Sequence, residues 1–332
     1  MREGVVQALP KALAELLGMP VEVEGVRLLP GGASKEAWAV DAETPQGALR
    51  LLVRRAAGGV IYSETLSLKE EHQVLEAAWR AGVRVPRPYG YLPDLAGREA
   101  FVMERLEGES IGRRVVTRPE LAEARRLLPL EMAEELAKIH AIPREALPFL
   151  PGAQRPPAAP EVIARLYREL DALEEPHPAI ELGLLWLREN LPPAHGIVVN
   201  HGDFRLGNLM VGPKGLVGVL DWEFAHLGDP AEDLAWPLVR AWRFGQDHLR
   251  LGGIGEVEPY LEAYNARTGR NIGLGELFYW EVMGNVKWAI GALTQARRHL
   301  RGEERSVELA VLGRLASEME YEILHLIEKG GY

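Results

Sequence analysis

Residues 201–208 read His-Gly-Asp-Phe-Arg-Leu-Gly-Asn, and thirteen positions past Asn208 an apolar run ends in Asp221-Trp222-Glu223. Asp203, Asn208 and Asp221 are three hard oxygen donors. Magnesium takes oxygen ligands, usually one or two carboxylates completed by waters and substrate phosphates. A carboxylate left outside that set can accept the proton of an attacking hydroxyl. The chemistry that fits is phosphoryl transfer from a magnesium nucleotide, in which the protein chiefly positions the reactants and stabilises charge. Asp203 or Asn208 alone would be an ordinary turn residue. The full string with its spaced Asp-Trp-Glu is what points to a reaction.

A second feature is Pro30-Gly31-Gly32-Ala33-Ser34, between two strand candidates. Glycines there let the backbone approach phosphates closely, and Ser34 can donate a hydrogen bond. The segment lacks the G-x-x-x-x-G-K-[ST] spacing of a Walker A loop. No Ser has a G-x-S-x-G context and no H-E-x-x-H occurs, so neither an α/β-hydrolase elbow nor a zinc protease helix is indicated.

These residues need elements to hold them. Val5, Leu9, Leu13, Leu16 and Leu17 mark an amphipathic helix over 4–18. Strands are expected at 21–29, 37–40 and 48–55, with a turn cluster at 41–47. A helix over 63–81 has Ser63 as its expected N-cap and Gly82 at its end. Strands at 89–92 and 100–103 follow, so residues 20–105 read β-β-β-α-β-β. From Pro119 helices dominate, at 119–128, 130–140, 160–174, 178–191, 229–243, 256–268, 274–298 and 303–328, interrupted by a β patch at 208–211 and 216–220. The expected fold is α+β, with a small antiparallel β lobe (1–105) followed by a larger, mostly α lobe (106–332).

Composition sets outer bounds. The 332 residues are 47% hydrophobic and 26% charged, which suits a globular chain and excludes disordered, collagen-like and coiled-coil classes. With no cysteine, thiolate nucleophiles, disulfides and Cys-ligated metals are excluded. A net charge of −10 without basic clusters argues against a nucleic-acid partner. No apolar run is long enough to span a bilayer, and the N-terminus does not read as a signal peptide. The expectation is a cytoplasmic protein with a small-molecule partner and no membrane partner. Oligomeric state is not legible.

His201 to Asn208, together with Asp221-Trp222-Glu223 and Gly228-Asp229-Pro230-Ala231-Glu232-Asp233-Leu234, resembles the aminoglycoside phosphotransferase superfamily, small-molecule kinases with a protein-kinase-like two-lobe fold. The resemblance covers roughly residues 20–300. The strand Val53-Arg54-Arg55 and the long helix from Phe278 look most like the branch associated with acyl-CoA dehydrogenases. The resemblance implies ATP and Mg2+ as cofactors and a hydroxyl of a small molecule as acceptor. Asp203 would be the catalytic base, Asn208 and Asp221 the magnesium ligands, and Arg205 a cation on the transferred phosphate. His201 would pack the loop. Asp229 reads as an N-cap ahead of Pro230, and Asp233 as a partner of the loop backbone. Glu223 can stand beside the metal or cap the next helix, and the sequence leaves both open.

In the small lobe the resemblance implies a nucleotide site made by Gly31, Gly32 and Ser34, by a cation on the third strand paired with an acid on the following helix, and by a hinge. Arg54 takes the place usually held by Lys. Glu71 is its expected partner, with Glu70 as rival, and Arg55 is expected on the solvated face. Met103 would pack behind the adenine, which would bond to the backbone near Glu104 and Arg105. The acceptor stays open between a hydroxylated acyl compound, an aminoglycoside held by an acidic wall (Glu256, Glu258, Glu262, Glu303, Glu304) and a choline-like cation caged by Tyr279, Trp280 and Trp288. A second function class is a nucleotide-binding or metabolite-sensing module with weak turnover, suggested by Arg54.

Overall fold

The computed structural model describes residues 2–30, 35–57, 65–153 and 159–331. Gly31, Gly32, Ser34 and Ser63 lie outside the described residues. The chain opens with helix α1 (Arg2–Leu17), then strands β1 (Glu22–Leu28), β2 (Lys35–Thr44) and β3 (Gly47–Ala56), helix α2 (Leu68–Arg80), and strands β4 (Pro88–Leu92) and β5 (Ala100–Glu104). The five strands form one antiparallel sheet in the order β1-β2-β3-β5-β4. Strand alternation divides the two faces between two cores. Ala100 and Val102 of β5 pack with Val5, Leu9 and Leu13 of α1, whereas Phe101 and Met103 join a larger core that runs through α2 into the helical region. One face of the small lobe is thus continuous with the large one.

The large lobe contains α3 (Gly112–Thr117), α4 (Ala122–Ile139), α5 (Ala159–Asp171), α6 (Pro178–Glu189), β6 (Val198–Asn200), β7 (Leu209–Gly212), β8 (Gly215–Val219), β9 (His226–Gly228), α7 (Pro230–Ala235), α8 (Val257–Thr268), α9 (Leu274–Leu300) and α10 (Val307–Lys329). Two small antiparallel pairs, β6 with β9 and β7 with β8, hold the two loops that the sequence singles out. Segment 201–208 is the loop from β6 to β7, and 220–225 is the loop from β8 to β9. Each loop is pinned at both ends by a ladder.

Several expectations are corrected. Helix α2 starts at Leu68, where Ser67 and Glu70 form a reciprocal capping box. Glu70 Oε2 accepts from the Ser67 N–H, so Glu70 is committed to the helix start and is no rival to Glu71. The turn expected over 41–47 is only Pro45-Gln46, because β2 runs to Thr44, opposite Gly47. Pro129 does not split α4 into two helices. The helix expected over 229–243 ends at Ala235, and Pro237 follows in a 3₁₀ turn. Arg55 is buried, at 1% exposure. Alternation does turn it away from Arg54, but the 93–99 loop covers that face, and Leu95 and Ala96 carbonyls accept its N–H groups while Glu36 pairs with it.

Candidate active site

The loop after β6 is built on a buried carboxylate. Asp233 in α7 accepts from the backbone N–H of His201 at 2.6 Å through Oδ2 and of Gly202 at 2.9 Å through Oδ1. His140 Nε2 stands 3.3 Å from Oδ2, with its Nδ1 2.7 Å from the Tyr264 hydroxyl. Burial alone would raise the Asp233 carboxyl, but His140, His201 and the loop N–H hold it below the usual range. Asp229 caps α7 through Ala231 N–H, as its place before Pro230 implied.

His201 is buried, and burial lowers its pKa, so the neutral ring prevails at neutral pH. Its partners fix the tautomer. Nε2 faces the Leu220 carbonyl at 2.9 Å and must carry the proton, while Nδ1 accepts from Asp203 N–H at 3.2 Å. The ring also packs 4.5 Å from that of Trp222. One histidine thereby ties the two loops together.

Gly202 has φ +82°, and a Cβ there would sit 2.1 Å from the Phe224 carbonyl oxygen. Both the conformation and the close approach require glycine. Gly202→Ala is expected to destabilise the fold by about 3 kcal/mol, from strain and backbone overlap together. Urea unfolding checks this, and a loss below about 1 kcal/mol, the scale of an ordinary surface change, would contradict it.

Asp203 is nearly buried and takes three donors. Oδ1 accepts from Trp236 Nε1 at 2.7 Å and Arg205 Nε at 3.0 Å, and Oδ2 accepts from Asn208 Nδ2 at 2.5 Å. The Arg205 guanidinium lies 4.1 Å from the Trp242 ring centroid, which fixes it by stacking. Asn208 Nδ2 also donates to the Asp203 carbonyl at 2.9 Å. With that nitrogen committed, Oδ1 is the side-chain atom Asn208 can offer a cation.

Asp221 adopts φ +63°, a left-handed conformation uncommon for a side chain larger than glycine. Leu220 N–H donates to the Asn208 carbonyl at 2.8 Å, which sets Asp221 beside Asn208 along the two loops. Arg54 NH1 reaches Asp221 Oδ1 at 2.9 Å and Glu71 Oε1 at 3.0 Å. Burial would raise the Asp221 carboxyl, but Arg54 outweighs it and holds it low. The other Asp221 oxygen and Asn208 Oδ1 would supply a carboxylate and an amide oxygen, hard donors of the kind magnesium uses beside substrate phosphates. The residues fit that ion.

Two residues that bond these side chains carried no signal in the sequence. Lys35, the first residue of β2, places Nζ 2.7 Å from Glu71 Oε2 and 2.7 Å from Glu223 Oε2. Glu223 therefore pairs with a cation and does not cap the next helix, whose N-cap is Asp229. Burial and the adjacent Asp221 charge push the Glu223 carboxyl above its usual range despite Lys35. The second is Trp236, for which the sequence offered no signal beyond its place just after the Asp229-capped helix.

At the lobe junction, Glu104 N–H donates to the Arg87 carbonyl and Arg105 N–H to the Arg50 carbonyl. Both N–H groups thus have backbone partners. Met103 is buried between Leu52 and Pro88 on the flanking strands. Leu106 comes next and packs on β8, where a Cβ at Gly218 would lie 2.5 Å from its Cδ1.

The profile of the phosphotransferase enzyme family matches residues 25–278. The chain belongs to that family. Among curated relatives, acyl-CoA dehydrogenase family member 10 of Mus musculus is 28% identical over 290 residues, covering 81% of this chain and 26% of the relative. Acyl-CoA dehydrogenase family member 11 of Homo sapiens is 27% identical over 271 residues, covering 77% of this chain and 34% of the relative. The chain thus spans only a quarter to a third of these relatives, which bear the names of the branch the sequence resembles. Among solved structures, a candidate aminoglycoside phosphotransferase from Ralstonia eutropha shares the fold at TM-score 0.76 and 23% identity, covering 98% of each chain. Spectinomycin phosphotransferase, solved with ADP and spectinomycin, does so at TM-score 0.63 and 13% identity over 96% of this chain and 98% of its own. The two-lobe kinase-like fold is thus shared with these solved structures. Among the described residues no helix is long and apolar enough to cross a membrane.

Proposed function

We propose that this phosphotransferase is an ATP- and magnesium-dependent kinase acting on a hydroxyl of a small molecule. The observation that carries the reading is the joint between the two loops: Asn208 bonds Asp203 with its amide nitrogen, and its carbonyl holds the strand end that delivers Asp221. Magnesium bound there would neutralise phosphate charge. Asn208 Oδ1 and Asp221 would hold it. Asp203 would orient the acceptor hydroxyl and take its proton, as Trp236 and Arg205 fix its other oxygen. Arg205 would face the transferred group, and the cationic side of the Lys35–Arg54–Glu71 cluster would lie toward the remaining phosphates.

A hydroxylated acyl compound is the favoured acceptor, supported by relatives named as acyl-CoA dehydrogenase family members. A polycation is less favoured. Glu256, Glu258 and Glu262 are solvated on and beside α8, and Glu304 pairs with Arg298. A choline cage is disfavoured too, since Tyr279 and Trp280 are core residues at 1% and 6% exposure. The test is magnesium-dependent ADP release with ATP across hydroxylated acyl compounds, aminoglycosides and choline, with the phosphate ester identified by 31P NMR. A new ester on one acceptor class is expected. Nucleotide binding without transfer to any would favour the sensing module instead.

A further inference from the structure

Strand β3, Gly-Ala-Leu-Arg-Leu-Leu-Val-Arg-Arg-Ala, contains no lysine. Its inward cation, Arg54, places one nitrogen against both Glu71 and Asp221. Asp221 is the carboxylate assigned above to the metal, so the NH1 edge of the guanidinium is engaged in orienting that carboxylate. Lys35 stands differently. Its ammonium has three donors, of which two go to Glu71 and Glu223 at 2.7 Å each. Among the described residues no acceptor takes the third, which can serve a ligand.

Register explains how a residue of the neighbouring strand arrives there. In the β2–β3 hairpin Lys35 lies opposite Ala56, and Ala37 lies opposite Arg54. Residues two apart share a face, so Lys35 and Arg54 are diagonal neighbours on one side of the sheet. Both reach Glu71, one to each carboxylate oxygen. Glu71 is 2% exposed and the Lys35 side chain 11%, so neither is a surface charge held by chance. Among the described residues the cluster has two cations, Lys35 and Arg54, against three carboxylates, Glu71, Asp221 and Glu223.

We propose that Lys35 is the phosphate-binding cation of the nucleotide site, supplied from β2 in place of a β3 lysine, and that Arg54 is a positioning residue for Glu71 and Asp221. This rests on the nucleotide-binding reading above. Glu71 keeps Lys35 in place, and a phosphate oxygen takes its third N–H. Glu223 holds the ammonium in the cleft when no nucleotide is there.

Calorimetric titration of ADP and of adenosine, each in magnesium buffer, tests the assignment. A lysine–phosphate contact is a charge-assisted hydrogen bond, so Lys35→Met is expected to weaken ADP about 10–100-fold. Adenosine, lacking phosphate, should bind as it does to wild type. Unchanged ADP affinity, or an equal loss for adenosine and ADP, would overturn the proposal. Wild-type protein that binds neither ligand would sink the nucleotide reading along with it, whereas wild-type binding with an indifferent variant sinks the Lys35 assignment alone. A measurement on the wild-type chain removes dependence on the variant's folding. Magnesium ADP should slow acetylation of Lys35, followed by mass spectrometry, while adenosine should not. Equal rates with and without magnesium ADP would also overturn it.

Discussion

Replacing Asp203 by alanine lowers turnover about 10²–10⁴-fold, the range typical of losing a positioned general base. Nucleotide affinity should change less than turnover, because neither Lys35 nor Arg54 bonds to Asp203, and Asn208 keeps its bond to the backbone carbonyl of residue 203. The expectation is a fall in kcat with a smaller change in KM for ATP, read by steady-state ADP release. Trp236 and Arg205 both donate to Oδ1. That leaves one edge of the carboxylate fixed, which is what a base needs if it is to meet a hydroxyl in a single geometry. Turnover within a few-fold of wild type would remove Asp203 from the chemistry.

The second large effect concerns stability. Asp233 is fully buried and satisfies two loop N–H groups and His140 at once. Asp233→Ala leaves those donors buried without a partner, and breaking such a buried network costs about 3–5 kcal/mol. Urea denaturation should show this as a lower midpoint with an unchanged slope. A loss under about 1 kcal/mol, the size of a routine substitution, would mean that the loop does not depend on this carboxylate. The pH dependence has a defined sign. The Asp233 carboxyl lies below its ordinary value of 3.8 in the fold, so its contribution is present above that pH and is lost as pH falls through the folded value.

What could be read beforehand followed from local rules. The Asp229-Pro230 start of α7 and the Asp203 to Asn208 spacing depend on neighbours a few residues away, and both appear in the structure. Local rules also misled at Pro129. Proline interrupts helices by removing a donor and crowding the preceding turn, yet α4 continues, with Pro129 packed so closely on Gly255 that a Cβ there would sit 2.8 Å from its ring. Tertiary packing won over propensity.

Lys35 shows the harder limit. Its partners are 36 and 188 positions away, so no window contains them. Hairpin register was the missing step. A turn spread over 41–47 leaves the pairing undefined, whereas the observed turn at Pro45-Gln46 sets Thr44 against Gly47 and hence Ala37 against Arg54. The Trp236 bond to Asp203 depends on how α7 leaves its cap, which no sequence period encodes. Arg55 failed in the same way: alternation gave its direction, but not the loop that covers it.

The central claim is that Asn208 and Asp221 offer oxygens to one divalent ion while Asp203 stays free to face an acceptor. A crystal structure of the chain with magnesium and ADP tests it most directly. Asn208 Oδ1 and an Asp221 carboxylate oxygen are expected about 2.1 Å from the metal, the usual magnesium–oxygen distance, with Asp203 outside its ligand shell. Magnesium held by other residues, or Asn208 turned so that its oxygen faces away from the ion, would contradict it.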